Sequence, residues 1–265
     1  MSAYNDADVL KLTLSGYLNQ VDKDFDICVA DDGSEPDVKQ LVESFQRKGL
    51  RLRHIWHEDQ GFRRTVILNK AVASSQADRI IFTDSDCIPS PHFVADHKAL
   101  SCPKGLVTGP RVYLGSDITQ WLKNGDSSIT ELSKTSLLLW LSLRKQLSKI
   151  EQAIRYPTWV LPLLNRIKTI WPYGANFAVD RQDLLLVNGF DEDFIGWGGE
   201  DVDLSHRLSL VGVTAHGSLG RAVVYHLDHP VREVDDGDKS LTQIKQQKLN
   251  TTVAYCRNGM NKWLD

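Results

Sequence analysis

The 265-residue chain has few of the features that mark secreted, membrane-spanning or nucleic-acid-binding proteins. Its four cysteines form no Cys-x-x-Cys pair and are typical of reduced thiols in a cytosolic protein. No signal peptide is recognisable at its start, and apolar runs such as residues 137–143 are far shorter than the roughly 20 residues that span a bilayer. A net charge of −3 gives no general affinity for nucleic acid. We therefore expect a cytoplasmic protein without a nucleic-acid partner.

Helix and strand signals alternate through the first half of the sequence. Apolar residues at helical spacing predict helices at 6–20, 36–46 and 65–75, and apolar runs predict strands at 26–34, 52–58 and 79–87. This order favours an α/β fold with a mostly parallel sheet, in which ligands bind at the carboxyl ends of the strands. The acids Asp31 and Asp32 end one predicted strand, and Asp84 and Asp86 end another. Both pairs should therefore face one crevice.

The predicted sheet lacks an apolar first strand, because the chain enters a helix directly after "MSAYND". Without such a strand a central strand would lack a partner, and unpaired backbone groups are costly. We expect that a first strand is missing through truncation or a misassigned start. The alternative is a sheet that is built without it.

The middle of the chain is basic, since residues 133–172 contain seven Lys or Arg and one acid. Such a stretch fits either an anionic membrane surface or a helical insertion that packs on the domain, and the sequence leaves both open. Further along, the pattern predicts a strand that enters a helix at 173–181, a helix at 200–211 and a strand at 221–230. Residues 231–265 are polar and predict a peripheral tail helix.

Two groups of residues have the chemistry of a metal site. Asp84-Ser85-Asp86 offers oxygen ligands for Mg²⁺ or Mn²⁺, although acids at strand ends also cap helices. His226 and His229 end the last predicted strand, and an imidazole beside a carboxylate favours Mn²⁺ over Mg²⁺. The glutamate of a zinc-protease HExxH motif is missing, so that function is excluded.

The stretch "GFDEDFIGWGGEDVDLSHRL" at 189–208 is unusually acidic. Gly198 and Gly199 let the backbone pass close to a ligand, and Trp197 offers a flat face of the kind on which sugar rings stack. Glu200 and Asp201 then open a predicted helix, whose dipole favours an ionised carboxylate suited to a general base. Helix capping is the alternative role for Asp201.

Several motifs occur together in an order that resembles a known family. They are "SAYND", "VADDGS", "QGFRRTVILNKA", "FTDSDC", "YGANFAVDR", "GFDEDFIGWGGED" and "VVYHLDH". They resemble inverting family 2 glycosyltransferases of the GT-A fold, and the second half resembles β-1,4-galactosyltransferases and bacterial chondroitin polymerase. The resemblance implies a Rossmann-like mixed sheet flanked by helices in a single domain. Its expected parts are a nucleotide-binding half at 1–110, a helical basic insertion at 111–172, an acceptor and catalytic half at 173–232, and a tail at 233–265.

The resemblance implies that the acids of 189–208 bracket a sugar and its attacking hydroxyl. It also implies roles for particular residues. Those expected to contact the nucleotide-sugar are Ser2, Tyr4, Asp32, Gln60, Gly61, Arg63, Asp84 and Asn176. Those expected to shape the acceptor pocket are Trp197, Gly199 and Glu200. Asp201 would be the base, paired with Glu200, and Asp86 and His226 would bind Mn²⁺ or Mg²⁺. Where the galactosyltransferases carry a further acid after "WGGED", this chain has Val202.

The expected function is transfer of a hexose or N-acetylhexosamine from a UDP-sugar to a cell-surface glycan or a lipid-linked saccharide, with inversion at the anomeric carbon. This would take place in the cytoplasm or on the inner face of the membrane. One alternative is a catalytically silent domain that binds nucleotide-sugars. Another is a metal-dependent phosphohydrolase that uses the same aspartates and histidines.

Overall fold

A computed structural model describes residues 1–125, 129–157, 159–160, 174–196, 198–230 and 251–264. The strands are β1 (Ser2–Ala3), β2 (Ile27–Asp31), β3 (Leu52–Trp56), β4 (Arg79–Thr83), β5 (Cys87–Pro89), β6 (Gly105–Thr108), β7 (Arg111–Leu114), β8 (Leu147–Ser148), β9 (Asn176–Asp180), β10 (Thr214–Gly217) and β11 (Val224–His226). The helices are α1 (Ala7–Leu18), α2 (Pro36–Arg47), α3 (Arg64–Ala73), α4 (Phe93–Ala99), α5 (Ser116–Lys123), α6 (Thr135–Leu143), α7 (Ile150–Ala153), α8 (Arg181–Leu186) and α9 (Glu200–Leu210). The predicted alternation of the first half is thus present.

The sheet is mixed. Strands β1, β2 and β3 are parallel, and a bridge between Ser2 and Asp84 joins them to a second group ordered β4, β9, β6, β10. In that group β9 runs antiparallel to both β4 and β6. A third group is ordered β5, β11, β7, β8. Because β5 follows β4 closely in the chain and pairs with β11, the end of β11 lies beside the end of β4. The mixed sheet implied by the family resemblance is confirmed.

Strand β1 is short and covers only part of the facing edges of β2 and β4. Its two residues pair with Ala30 and Asp31 of β2, and the Met1 ammonium donates a hydrogen bond to the carbonyl oxygen of Cys28 at 2.9 Å. Past Met1, a cavity of about 770 Å³ is lined by residues of both β2 and β4. Strand β1 therefore occupies the position between β2 and the end of β4, and the missing first strand stays an expectation.

Three apolar clusters hold the helices against the sheet. Leu14 of α1 and Phe45 of α2 pack on Val29 of β2, and all three side chains are buried. Ile67 of α3 and Leu204 of α9 share a second cluster with residues of β4 and β9. A third cluster joins α5 and α6 to β7 and β11. Helices α3 and α9, which begin at the acid-rich edge of the sheet, are therefore fixed to the same core.

The segment at 111–172 is not wholly helical, which corrects the predicted insertion. It begins with β7, which pairs with β11, and β8 then pairs antiparallel with β7. Helices α5, α6 and α7 are attached to this small sheet, while 161–172 lie outside the described residues. None of the described helices is long and apolar enough to cross a membrane.

The end of the chain is not a peripheral helix. Residues 251–264 contain a short 3-10 turn at Met260–Trp263 and no α-helix, and 231–250 lie outside the described part of the chain. Cys256 and Met260 are buried, and the side-chain amide of Asn188 donates to the carbonyl oxygen of Cys256 at 2.8 Å. This segment therefore completes the core beside α8.

Candidate active site

The start of α3 is bonded to the carboxyl end of β2. The Arg63 N–H donates to Asp32 Oδ2 at 2.9 Å, and Asp32 Oδ1 lies 2.7 Å from His57 Nε2. His57 follows β3, and parallel neighbouring strands end at the same edge of a sheet. Asp32 is thus buried and bonded through both oxygens, so any contact with a nucleobase would be made in addition to these bonds.

Asp59, which was not predicted as a site residue, bonds to two of the predicted nucleotide-binding loops. The Tyr4 hydroxyl donates to Asp59 Oδ2 at 3.0 Å, and the Gly61 N–H donates to Asp59 Oδ1 at 2.9 Å. Gly33 has a φ of +97°, and a Cβ there would lie 2.5 Å from Asp59 Cα. Tyr4 and Gly61 therefore share one rim of the cleft with the exposed Gln60.

Arg64 links the two acidic regions. Its Nη2 donates to Asp84 Oδ1 at 2.7 Å and its Nη1 donates to Glu200 Oε1 at 3.0 Å, while Ser2 Oγ also donates to Asp84 at 2.6 Å. Burial acts to lower the pKa of Arg64, but the charges of Asp84 and Glu200 raise it by more. The predicted Arg63 contributes only its backbone, because its side chain points to a carbonyl of the preceding loop. Arg63 stays a predicted nucleotide-sugar contact, and Arg64, which was not predicted, is the arginine that bonds to Asp84 and Glu200.

Asp86, His226 and His229 form a second cluster. Strand β11 pairs antiparallel with β5, which sets His226 opposite Cys87 and therefore next to Asp86. His226 Nε2 lies 3.5 Å and His229 Nε2 lies 3.2 Å from Asp86 Oδ2. The three potential ligand atoms lie within 4.8 Å of one another. The sequence left open which histidine joins Asp86, and the structure brings both to it.

The three side chains shift one another's pKa. Burial acts to raise the pKa of Asp86, but the hydrogen bond from His229 and the two nearby imidazoles hold it below its usual range. Burial lowers the pKa of His226. The bond to Asp86 raises the pKa of His229 to about 9. An ionised carboxylate and a neutral imidazole are the forms that ligate metals, so His229 would release its proton when a cation binds.

This donor set fits a divalent ion. One carboxylate and two imidazoles suit Mn²⁺ better than Mg²⁺, which prefers oxygen ligands. The other acid of the pair, Asp84, is bonded to Arg64 and is not part of the cluster. Asp84 nevertheless lies only two residues before Asp86, in the short connection between β4 and β5. The cluster and the Arg64-linked acids therefore belong to one continuous site.

Two glycines and two acids shape the start of α9. Gly198 and Gly199 both have a φ of +93°, a conformation that side chains disfavour. Asp201 lies in the first turn, and its Oδ2 accepts a hydrogen bond from the Gly174 N–H at 2.7 Å. The carboxylate is thus held in place while its residue remains partly exposed. Trp197, the predicted stacking surface, lies outside the described residues.

Glu200 is in a different environment from its neighbour. Its side chain is only 8% exposed, and Oε2 has no hydrogen-bond partner among the described residues. Burial raises its pKa, the charge of Arg64 opposes the shift, and the charge of Asp201 adds to it. Two adjacent carboxylates therefore differ, with Glu200 enclosed beside a guanidinium and Asp201 open to the cleft side.

The other acids of the 189–208 stretch stabilise the fold, which corrects the expectation that the whole group brackets a sugar. Asp203 Oδ2 lies 2.7 Å from Arg207 Nη2, and the two side chains are 1% and 2% exposed. Glu192 is held by three side chains: Asn69, Lys262 and Trp263. Only Glu200 and Asp201 of the acids in this stretch reach the Arg64 region.

Asn176 also has an internal role in place of the predicted contact with a donor sugar. Its Oδ1 lies 2.9 Å from His97 Nε2, and its Nδ2 donates to the carbonyl oxygens of Pro110 and Ala222 at 3.1 and 2.8 Å. The residue is buried. Its side chain therefore ties β9 to its neighbours and is not presented to the cleft.

The fold is the GT-A fold of the solved glycosyltransferases that it resembles. Family models match nearly the whole described chain: the model for glycosyl transferase family 2 covers residues 1–170, and that for the N-terminal domain of galactosyltransferase covers residues 163–230. The chain belongs to glycosyl transferase family 2. The resemblance inferred from the motifs is confirmed.

Individual relatives agree with this assignment. Chondroitin synthase of Escherichia coli is 26% identical over 265 residues, which cover 95% of this chain and 38% of that protein. The chain thus spans less than half the length of this relative. Mannosyltransferase PcManGT from Pyrobaculum calidifontis, solved with GDP-Man and Mn²⁺, superposes with a TM-score of 0.56 at 18% identity over 87% of this chain and 56% of its own. GalNAc-T7, solved with UDP, GalNAc and Mn²⁺, gives 0.61 at 12% identity over 92% and 47%.

Proposed function

We propose that this chain transfers a hexose or N-acetylhexosamine from a UDP-sugar to a hydroxyl of a cell-surface glycan or lipid-linked saccharide, with inversion. The observation that carries the proposal is the grouping of Asp86, His226 and His229 beside the acids joined by Arg64. A relative named chondroitin synthase and a GalNAc-T7 structure that contains UDP and Mn²⁺ support it. The nucleotide is the finer part of the proposal, since PcManGT has this fold and was solved with GDP-Man.

Asp86, His226 and His229 are the side chains that would hold a divalent cation. A bound cation supplies Lewis-acid stabilisation of the negative charge on a diphosphate leaving group. The protein prepares the site by keeping Asp86 ionised and His226 neutral. Tyr113 packs its ring against His226 with the centroids 5.3 Å apart, which fixes the orientation of the imidazole.

Asp201 is the proposed general base. It would take the proton of the acceptor hydroxyl while that oxygen forms a bond to the anomeric carbon and the bond from this carbon to the diphosphate oxygen breaks. A single displacement from the opposite face inverts the anomeric centre. The bond from the Gly174 N–H fixes the position of the Asp201 carboxylate.

Arg64 and Glu200 are proposed to position the reacting groups. Arg64 fixes Asp84 and Glu200 relative to each other across the cleft. The free Oε2 of Glu200 offers an acceptor for a hydroxyl of the bound sugar. Placing both groups before the substrate arrives lowers the entropic part of the barrier.

The proposal is tested by incubating the protein with a panel of UDP-sugars and GDP-mannose, each with and without Mn²⁺. Products are followed as released nucleotide, as free phosphate and as sugar transferred to saccharide acceptors. We expect Mn²⁺-dependent release of UDP and transfer of one sugar. Release of free phosphate without sugar transfer would instead identify a metal-dependent phosphohydrolase, and turnover that is equal in the presence of a chelator would reject the metal assignment.

One observation favours a second candidate, a domain that binds nucleotide-sugars without turnover. Ser2, which bonds to Asp84, belongs to the two-residue strand β1, and this strand adjoins the cavity between β2 and β4. A displacement of Ser2 would weaken the position of Asp84 without removing the metal cluster. Protection from thermal unfolding by UDP and Mn²⁺, with no transfer to any acceptor, would support this candidate.

A further inference from the structure

One face of α6 exposes large apolar side chains. Leu139, Trp140 and Leu143 are 52%, 50% and 85% exposed. On the opposite side of the helix, Leu138 and Leu141 are buried and pack in the cluster that joins α6 to β7. The helix is therefore anchored to the fold by one side, while the other presents a compact apolar surface. Leu139 and Leu143 are one turn apart, so they point in the same direction.

Basic side chains border this apolar face. Lys134 precedes α6, Arg144 and Lys145 follow it, and Lys149 lies on the loop beyond β8; all four are exposed. The Arg144 guanidinium lies over the Trp140 ring at 5.0 Å. Lys134 is paired with Glu131, but in the described ranges no carboxylate forms an ion pair with Arg144, Lys145 or Lys149. The chain as a whole carries a net charge of −3, so the positive charge of this surface is opposite in sign to that of the whole chain.

The combination fits the interface of an anionic bilayer. Tryptophan and leucine enter the boundary between headgroups and acyl chains, and flanking Lys and Arg attract anionic headgroups. An arginine stacked on the tryptophan keeps its charge while shielding part of the ring. We propose that the exposed face of α6, with Arg144, Lys145 and Lys149, docks the protein on an anionic lipid membrane.

Docking through α6 would hold the candidate active site near the membrane. Ser148 of β8 pairs with Tyr113 of β7, and the ammonium of Lys149 lies over the Tyr113 ring at 4.7 Å. The Tyr113 ring in turn contacts His226 of the metal cluster. Two successive contacts therefore connect the basic border with the site. This part of the inference rests on the proposed function, because it favours an acceptor that is itself anchored in a lipid bilayer.

The test is co-sedimentation of the full chain with vesicles of phosphatidylcholine alone or mixed with phosphatidylglycerol, at low and at high salt. We expect binding to the anionic vesicles at low salt, with little binding to phosphatidylcholine, and a decrease at high salt as the charges are screened. Leu143→Glu combined with Leu139→Glu should reduce binding by at least about tenfold. Removal of the charges at Arg144 and Lys145 should reduce it by about fivefold each.

The matched control is Leu186→Glu, which changes a leucine of similar exposure, 51%, at the end of α8. It should bind vesicles as the wild type does. Thermal unfolding of each variant shows whether the substitution alters stability, and release of UDP with a soluble acceptor shows whether the site is intact. A variant that loses vesicle binding but retains this reaction supports docking. If the wild-type protein shows no release of UDP, the proposed function is rejected, but the vesicle-binding result still stands.

Two outcomes would overturn the inference. The first is wild-type protein that does not bind anionic vesicles at low salt. The second is a dimer in solution that the leucine substitutions dissociate, which would assign the exposed face of α6 to a second copy of the chain.

Discussion

Two regions of the molecule are rich in carboxylates, and they use them differently. At the ends of β2 and β4, Asp32, Asp84 and Asp86 each meet an imidazole or a guanidinium at the edge of the sheet. In the 189–208 stretch, Asp203 and Glu192 are bonded to side chains that close the core. An acid's position at the end of a strand therefore distinguishes active-site acids from acids that stabilise the fold better than the local density of acids does. The two acids at the start of α9 join the first group through Arg64.

The largest effect is expected from Asp86→Ala, which removes the carboxylate shared by both histidines of the cluster. Affinity for Mn²⁺ should fall by more than about 100-fold, and turnover by about 10³-fold or more, because a catalytic metal is worth several kcal/mol. Calorimetric titration with Mn²⁺ and an assay of sugar transfer measure the two effects. Glu43→Ala, which removes an exposed carboxylate on α2, is the control and should retain both.

Asp201→Asn tests the role of the start of α9. The amide keeps the shape of the side chain but cannot take a proton, so kcat should fall by about 10³-fold. Binding of UDP and Mn²⁺ should remain, since Asp201 is not a member of the metal cluster. Steady-state kinetics and equilibrium binding measure the two quantities. Activity close to that of the wild type would transfer the base assignment to another group, with Glu200 the first to examine.

Asp203→Asn, two residues further along the same helix, should have the opposite profile. It leaves the buried Arg207 without its carboxylate, and breaking a buried ion pair costs about 3 to 5 kcal/mol of folding free energy. The folded fraction should keep its kcat. Urea denaturation measures the loss, with Asp8→Asn on the exposed side of α1 as the control. A fall in kcat at unchanged stability would show that Asp203 acts in catalysis, which would contradict its assignment as an acid that stabilises the fold.

A smaller, pH-dependent effect on folding stability is expected from His97, which is buried in the interior. Burial lowers the pKa of His97 from 6.5 to about 4, so the folded state holds a neutral imidazole that the unfolded state protonates first. The unfolded chain then binds more protons between these two values, and up to about 3 kcal/mol of stability is lost as the pH falls through that window. His97→Gln should remove this dependence in unfolding experiments across the range. His92→Gln, at an exposed position, should leave it intact.

Much of the architecture could be read from local patterns. The predicted strands at 26–34 and 79–87 and the helix at 200–211 are present as β2, β4 and α9, because their apolar spacing and terminal acids act within each element. The approach of Asp84 and Asp86 to one edge followed from the rule for strand ends. The acid pair at the start of α9 was identified through its glycines and helix position.

The sequence could not supply contacts that depend on tertiary structure. Arg63 and Arg64 are equivalent in a motif, and only the orientation of α3 decides which guanidinium bonds to Asp84 and which to the Glu58 carbonyl oxygen. Asn176 is a polar residue in a strand, and its burial depends on His97 from a distant helix. His229 joins Asp86 because the chain after β11 turns back towards β5, a turn that no spacing rule encodes.

The last described segment has a consequence for how the protein is made. Met260 and Trp263 reach back to the loop that carries Glu192, and Asn188 is tied to Asn261 by its side chain. This loop acquires its final contacts only after residues 256–263 have been synthesised and have folded against it. Every proposed catalytic residue precedes that segment, so a folding intermediate can contain the whole candidate site while the 188–192 loop still lacks these bonds.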